Sequence, residues 1–266
     1  MKTYKVNPEQ QRGRPRQHPM TQFEIDCDQR TKKGLERTAP TINRPTGLRS
    51  VFKAPVVYID GEWHVDSNPQ KFYLLGYAYD KTHYGWLYNQ NDYKYNGIAK
   101  AKPPVKGING LSKKSLEQLF DGVSAIYFYG PDAGMIERMF KIPLKKKYRC
   151  INLLSLVKMC VPKKDLWTAT KALQKKGIIE KDKYKNKPCY KLCCIEYLLG
   201  IKRSTLEYKK DVDNLHRDWY TPHLRAKALL YNKEDVLYMI EVHKQLYRQY
   251  GATKKMEEQC VLKPTK

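Results

Sequence analysis

The chain has 266 residues, 41% of them hydrophobic, with 51 Lys and Arg against 27 Asp and Glu, a formal charge of +24. That apolar content suffices for one α/β core, while no apolar run reaches transmembrane length and Met1-Lys2-Thr3-Tyr4-Lys5 lacks the apolar stretch of a signal peptide. A soluble, intracellular protein is expected, cytoplasmic or in the nucleoid or nucleus and not secreted. Its charge predicts a polyanionic partner, nucleic acid being the usual one, rather than a membrane.

Residues 1–50 are polar and rich in Arg, Pro, Gln and Thr, which predicts a basic, largely irregular arm. Inside it Arg12-Gly13-Arg14-Pro15-Arg16 resembles the core of an AT-hook. In that motif Gly admits the backbone to the minor groove, and Arg is drawn to the negative potential of a narrow A·T groove. A flexible basic tail is the alternative reading of Arg12, Arg14 and Arg16.

Composition changes at Val51. Val56-Val57-Tyr58-Ile59 follows Pro55 without alternation, as a strand buried on both faces does, and ends in Asp60-Gly61-Glu62. On a continuing strand the two acids share a face, and hard oxygen donors at a strand end suit Mg²⁺ or Mn²⁺. Further strands are predicted at 72–79 and 83–88, joined by a turn at Asp80-Lys81-Thr82. After a Pro/Gly/Asn-rich loop at about 96–110, Ser112 caps a helix that ends near Gly122. A fourth strand follows at 123–129, broken by Gly130-Pro131-Asp132, and a helix at 133–140.

Three lysines, Lys145, Lys146 and Lys147, precede an amphipathic helix predicted at 151–157. From 141 to 191 there are 16 Lys and Arg against 3 acids, a net +13, so Lys145–Lys147 are candidates for binding nucleic acid. Residues 163–188 read as a Lys-rich insertion with a short helix around 166–173. A helix at 190–200 is stopped by Gly200, and a last long helix spans 221–250. Residues 251–266 are left as a C-terminal tail. Seven cysteines without paired C-x-x-C units predict free, mostly buried thiols, with a zinc site at the cluster of Cys189, Cys193 and Cys194 as the alternative.

The acids fall into three groups in chain order: Asp60 with Glu62, Asp132 opening a helix after the fourth strand, and Asp235. Tyr231 lies four residues before Asp235 and therefore shares its helix face. Each has an innocent role available, a polar turn, an N-cap or a surface position. In this order the groups resemble the DEDD-superfamily 3′–5′ exonucleases. Tyr231-Asn232-Lys233-Glu234-Asp235-Val236 marks the tyrosine subclass, since the His of the other subclass falls on Leu230. Ile151-Asn152-Leu153-Leu154 and the segment from Tyr190 to Leu199-Gly200-Ile201-Lys202-Arg203 extend the likeness over roughly 51–250. Two departures stand out. Gly61 replaces the usual apolar residue of D-x-E, and Tyr129-Gly130-Pro131-Asp132 lacks the common Asn and Phe-Asp arrangement.

The resemblance implies an α/β chain with a ribonuclease H-like mixed sheet flanked by helices. It implies hydrolysis at 3′ ends, on single-stranded or 3′-ended DNA or on RNA. Asp60, Glu62, Asp132 and Asp235 would hold two divalent ions, Mg²⁺ or Mn²⁺, one activating water and the other stabilising the leaving oxygen. Asp60, Glu62 and Asp235 would hold the nucleophile-side ion, and Asp60 and Asp132 the other. Tyr231 would hydrogen-bond the attacking water or the phosphate. Aromatics interleaved with the lysines, namely Tyr127, Tyr129, Tyr148, Trp167 and Tyr184, would track a single strand. The alternatives are a catalytically silent DNA-binding protein on the same fold, or a ribonuclease H-like endonuclease or resolvase.

Overall fold

A computed structural model describes residues 55–64, 71–88, 110–210, 215, 219 and 225–264. The basic arm with Arg12, Arg14 and Arg16, and all but the end of the 96–110 loop, lie outside the described residues. The described chain is α/β, with one five-stranded mixed sheet between two layers of helices.

Strands β1 (Val56–His64), β2 (Lys71–Ala78) and β3 (Tyr84–Tyr88) form an antiparallel meander. The turn between β2 and β3 is held by Asp80, whose carboxylate accepts the amides of Thr82 at 2.7 Å and His83 at 2.8 Å. On the other side of β1 lie β4 (Ala125–Phe128) and β5 (Cys150–Asn152), both parallel to it, giving the order β3-β2-β1-β4-β5. Strand β1 is therefore central, which is why its apolar run does not alternate. Val57 and Ile59 enter the core on one face, and Tyr58 enters the core on the other.

The first of these cores is closed by α1 (Lys113–Phe120), α2 (Asp132–Phe140) and α3 (Leu144–Lys147). Helix α1 starts on a reciprocal capping box between Ser112 and Ser115. The opposite face is covered by α4 (Leu153–Cys160), α5 (Lys163–Lys175), α6 (Leu192–Leu198), the long α7 (Arg225–Gln249) and α8 (Lys254–Gln259). Gly200 adopts φ 70°, and the Ile201 amide reaches back to the Glu196 carbonyl, so α6 stops where glycine permits the left-handed turn.

Residues 151–157 were expected to be helical throughout. Ile151 and Asn152 instead belong to β5, and the Asn152 side chain caps α4 by accepting the Leu154 amide at 3.0 Å. A three-residue strand has no room for a periodic signature, and the helical spacing beyond it runs on backwards across the cap. The C-terminal segment carries α8 and a bridge between Ile151 and Val261, which ties the expected tail to the edge of the sheet. Cys150, Cys160, Cys189, Cys193, Cys194 and Cys260 are free, and all but Cys160 are buried. Among the described residues no helix is long and apolar enough to cross a membrane.

Candidate metal centre

Parallel pairing of β1 with β4 ends at Ile59 opposite Phe128, so both strands finish at the same edge of the sheet. A crevice at the carboxyl ends of parallel strands is a usual place for a site in such sheets. Asp60 is the next residue on β1. After β4 the chain turns through Gly130, at φ 123°, and enters α2 at Asp132. Asn152 fixes that turn, accepting the Gly130 amide at 3.2 Å and donating to its carbonyl at 3.0 Å.

The alternation that sends Tyr58 towards α7 sends Asp60 and Glu62 the same way. Helix α7 meets them closely because Gly76, paired with Asp60 on β2, has no side chain; a Cβ there would stand 1.9 Å from Asn232 Oδ1. Asn232 donates to the Asp60 carboxylate at 2.8 Å and to its backbone carbonyl at 3.2 Å. Three residues further along α7, Asp235 joins them. Carboxylate oxygens of Asp60, Glu62 and Asp235 lie within 4.8 Å of one another.

Asp132 is buried beside this group rather than in it. Its Oδ1 accepts the Gly61 amide at 2.9 Å. Gly61 is explained by the same packing: a Cβ there would lie 2.2 Å from the Phe72 ring and 3.1 Å from Asp132 Oδ1. A side chain between the two acids would first have to displace the Phe72 ring.

Burial drives the acids towards their neutral forms, and their mutual repulsion adds to it. Asp60 is raised well above the carboxylate range by burial and by Asp235, Glu62 and Asp132. Glu62 is pushed up to about 8 by burial and Asp235, and Asp132 to about 7, mainly by burial against the pull of the Gly61 amide. Asp235 is the exception. Burial would raise it, but Arg203 and Lys209 outweigh that and hold it below its ordinary value.

Those two bases come from the segment after α6. Arg203 donates to Asp235 at 2.6 Å and lies 3.5 Å from Glu196 and 3.4 Å from Glu234. Lys209, in the 3₁₀ turn Leu206–Lys210, reaches the Tyr231 hydroxyl at 2.5 Å and the Asp235 oxygens at 3.1 and 3.3 Å. Glu234 holds the segment in place, accepting the Ser204 and Thr205 amides at 3.1 and 2.9 Å and both hydroxyls. Tyr231 is buried one turn before Asp235, with Lys209 4.1 Å from its ring centre and Arg203 5.4 Å away. Burial and the adjacent Asp235 raise its phenol, which stays protonated.

Asp60, Glu62, Asp235 and Tyr231 thus border one cleft of about 630 Å³, with Asp132 held next to it on the Gly61 amide. Lys145, Lys146 and Lys147 do not line it. They occupy α3, where Lys145 is paired with Glu137 at 2.9 Å and Lys147 lies 4.0 Å from Glu117. Of the expected strand-tracking aromatics, Tyr129 and Tyr184 line the cleft. Tyr127 is core, stacked on Tyr58 at 4.9 Å and bonded to Glu257 at 2.8 Å, and Tyr148 packs on Phe120. Trp167 carries Lys171 over its ring.

Arg203, Lys209, Asn232, Glu234 and Glu196 were not foreseen as site residues. Asn232 and Glu234 sit inside the Tyr231–Val236 motif, and helical spacing places Asn232 one turn before Val236. Arg203 ends the 190–203 segment of the likeness, though with no role attached to it, and Lys209 had no such signal in a chain with 51 Lys and Arg. Comparison with protein-family models, with curated proteins and with solved structures returns no match.

Proposed function

We propose that this chain is a metal-dependent 3′–5′ exonuclease with a ribonuclease H-like fold, removing nucleotides from the 3′ ends of nucleic acid. The observation that carries the reading is the convergence of Asp60, Glu62 and Asp235 with Tyr231 one helical turn from Asp235. A mixed sheet with helices on both faces is what the DEDD-superfamily resemblance requires, and the described fold meets that requirement.

The donor set fits hard divalent cations such as Mg²⁺ or Mn²⁺. It consists of carboxylate oxygens, half-buried on Asp60 and Glu62 and buried on Asp235, that repel one another. Both bases bond Asp235, whereas Asp60 bonds the neutral Asn232 amide, so ionising Asp60 and Glu62 calls for a further cation. Asp60, Glu62 and Asp235 would hold the first ion. Asp60 would share in a second with Asp132, which reaches it directly or through water because one Asp132 oxygen is engaged by Gly61. Bound there, two such ions supply Lewis-acid activation of water and stabilisation of the leaving 3′-oxygen.

The chain's own groups then position the reactants. Tyr231, neutral and with its ring fixed by Arg203 and Lys209, presents a hydroxyl to the attacking water or the scissile phosphate. Arg203 keeps Asp235 ionised and oriented. Asn232 sets the Asp60 carboxylate against α7. A second reading, a nucleic-acid-binding protein without hydrolytic activity, is favoured by one observation: Lys209 already contacts both oxygens of Asp235.

The test is digestion of 5′-labelled single-stranded DNA and RNA with Mg²⁺, with Mn²⁺ and with EDTA. Stepwise shortening from the 3′ end, present only with metal, is the expected result. Internal cuts would replace the exonuclease reading with an endonuclease one. Binding without any cleavage would leave the silent reading.

A further inference from the structure

The cleft beside the carboxylates has a second wall that the proposed chemistry does not use. It is formed by residues 178–191, between α5 and α6, with Tyr184, Lys187, Tyr190 and Lys191 facing the space that Asp60 and Glu62 border. This loop carries five lysines in fourteen residues, and such a loop ordinarily stays solvated and loosely held.

Here buried groups hold it. Gln174, 5% exposed, extends its amide towards the carbonyls of Glu180, Lys181 and Tyr184 at 3.3–3.4 Å. The Thr170 hydroxyl, fully buried, accepts the Cys189 amide at 2.9 Å. Tyr129, at the exit of β4, donates to the Tyr190 carbonyl at 2.6 Å and fastens the end of the loop to the strand edge that carries the acids. Ile179, Cys189 and Cys193 complete the anchorage in a small core with Leu173. The wall therefore stands at a fixed place relative to the carboxylates.

Its chemistry complements theirs. A polyanion approaching three carboxylates is repelled unless cations flank its path, and Lys187, Lys191 and Lys209 supply them along the cleft. Tyr184 and Tyr190 add aromatic faces between those charges, the combination that holds unpaired nucleotides by backbone charge and base stacking. Bases within a duplex offer no free faces, and about 630 Å³ is the size of a small-ligand cleft rather than of a duplex groove.

We infer that the wall 178–191 is the subsite for the unpaired end of a single-stranded nucleic acid, which it delivers to the carboxylates. This rests on the nuclease reading for its purpose but not for its binding chemistry. Both lysines are exposed, so Lys187→Gln with Lys191→Gln leaves the fold intact. Fluorescence anisotropy in EDTA, with single-stranded DNA and RNA oligonucleotides and a blunt duplex, measures binding without cleavage.

The double variant should bind single strands at least tenfold more weakly at low salt. Its log affinity against log salt should be shallower by about 1.4, the contribution of two phosphate contacts on a single strand. Tyr184→Ala should weaken single-strand binding about tenfold, and binding of the blunt duplex should stay within twofold in both variants. Retained single-strand affinity, or an equal loss for duplex, would overturn the subsite. If the wild-type protein cleaves nothing while the variants still lose single-strand binding, the exonuclease reading falls and the subsite stands. A DNA-only or RNA-only effect would still support the subsite and name its ligand.

Discussion

Buried Glu257 and half-buried Asp60 and Glu62 are carboxylates on the same side of the sheet, and the fold treats the first and the pair in opposite ways. Glu257 has no exposed side-chain surface, yet it accepts from Tyr127 at 2.8 Å, Tyr247 at 2.6 Å and His243 at 3.0 Å, with Arg149 3.6 Å away. Burial would raise its pKa, but the bonds from His243, Tyr247 and Tyr127 prevail and bring it down to about 2. Asp60 and Glu62 receive one amide donor between β1 and α7, and burial and mutual repulsion move them upwards. A carboxylate with a full set of donors fastens α8 to α7 and the sheet. Carboxylates left short of donors keep stored repulsion that a ligand can relieve, which is the mark of a functional site.

The sharpest way to break this comparison is Asp60→Asn. We expect nuclease activity to fall below detection. The metal-free variant should melt no lower than the wild type, because the cost of protonating Asp60 on folding is removed. Mn²⁺ should raise the melting temperature of the wild type and not of the variant, since a ligand that binds only the folded state stabilises it. A variant that melts lower without metal, at matched purity, would mean that Asp60 is a satisfied structural acid like Glu257.

Tyr231→Phe probes the neutral partner in the site. Removing the hydroxyl while keeping the ring should slow hydrolysis about 10- to 1000-fold, the range of a lost transition-state hydrogen bond, with metal and substrate affinity nearly unchanged. The phenol does not titrate near neutrality, so the pH–rate profile between 6 and 9 should keep its shape. A wild-type rate would make Tyr231 a packing residue for Lys209 and Arg203.

Glu257→Gln should behave in the opposite sense to Asp60→Asn. Replacing a buried acceptor of several charge-assisted bonds should cost about 3 kcal/mol of stability, measured by urea unfolding, and leave cleavage kinetics of the folded protein unchanged. The sign with pH follows from the lowered pKa. Glu257 contributes stability fully above the unfolded value of 4.5 and loses it as pH falls towards about 2. The stability gap between wild type and Glu257→Gln should therefore close between pH 4.5 and pH 2.

The smallest effect is expected from Lys145→Ala, Lys146→Ala and Lys147→Ala combined. These residues lie on α3, away from the cleft, and Lys145 is engaged by Glu137. Single-strand affinity should change less than threefold at physiological salt, in contrast to Lys187 and Lys191. A tenfold loss would place a second binding path on α3.

Much of this arrangement was legible in the chain because it is local. The unalternating run before Asp60, the Ser112 cap, the break at Gly130-Pro131 and the four-residue spacing of Tyr231 and Asp235 are each dictated by neighbours a few residues away. Backbone sterics and helical periodicity act at that range. So the main strands and helices, and the shared faces of Asp60 with Glu62 and of Tyr231 with Asp235, could be read without coordinates.

What tertiary structure alone decided is how distant groups pair. Which of 51 basic residues reach Asp235 depended on a segment anchored by Glu234, and no local pattern marks Arg203 or Lys209 as a partner of Asp235. Gly61 stands where the D-x-E resemblance led to an apolar residue being expected, and only the approach of Phe72 and Asp132 explains it. Tyr127 reads as an interleaved aromatic until its hydroxyl is found on Glu257, 130 residues away, and β5 is too short to announce itself. Coulombic and hydrogen-bond partnerships depend on distance in space, and a sequence carries distance only along the chain.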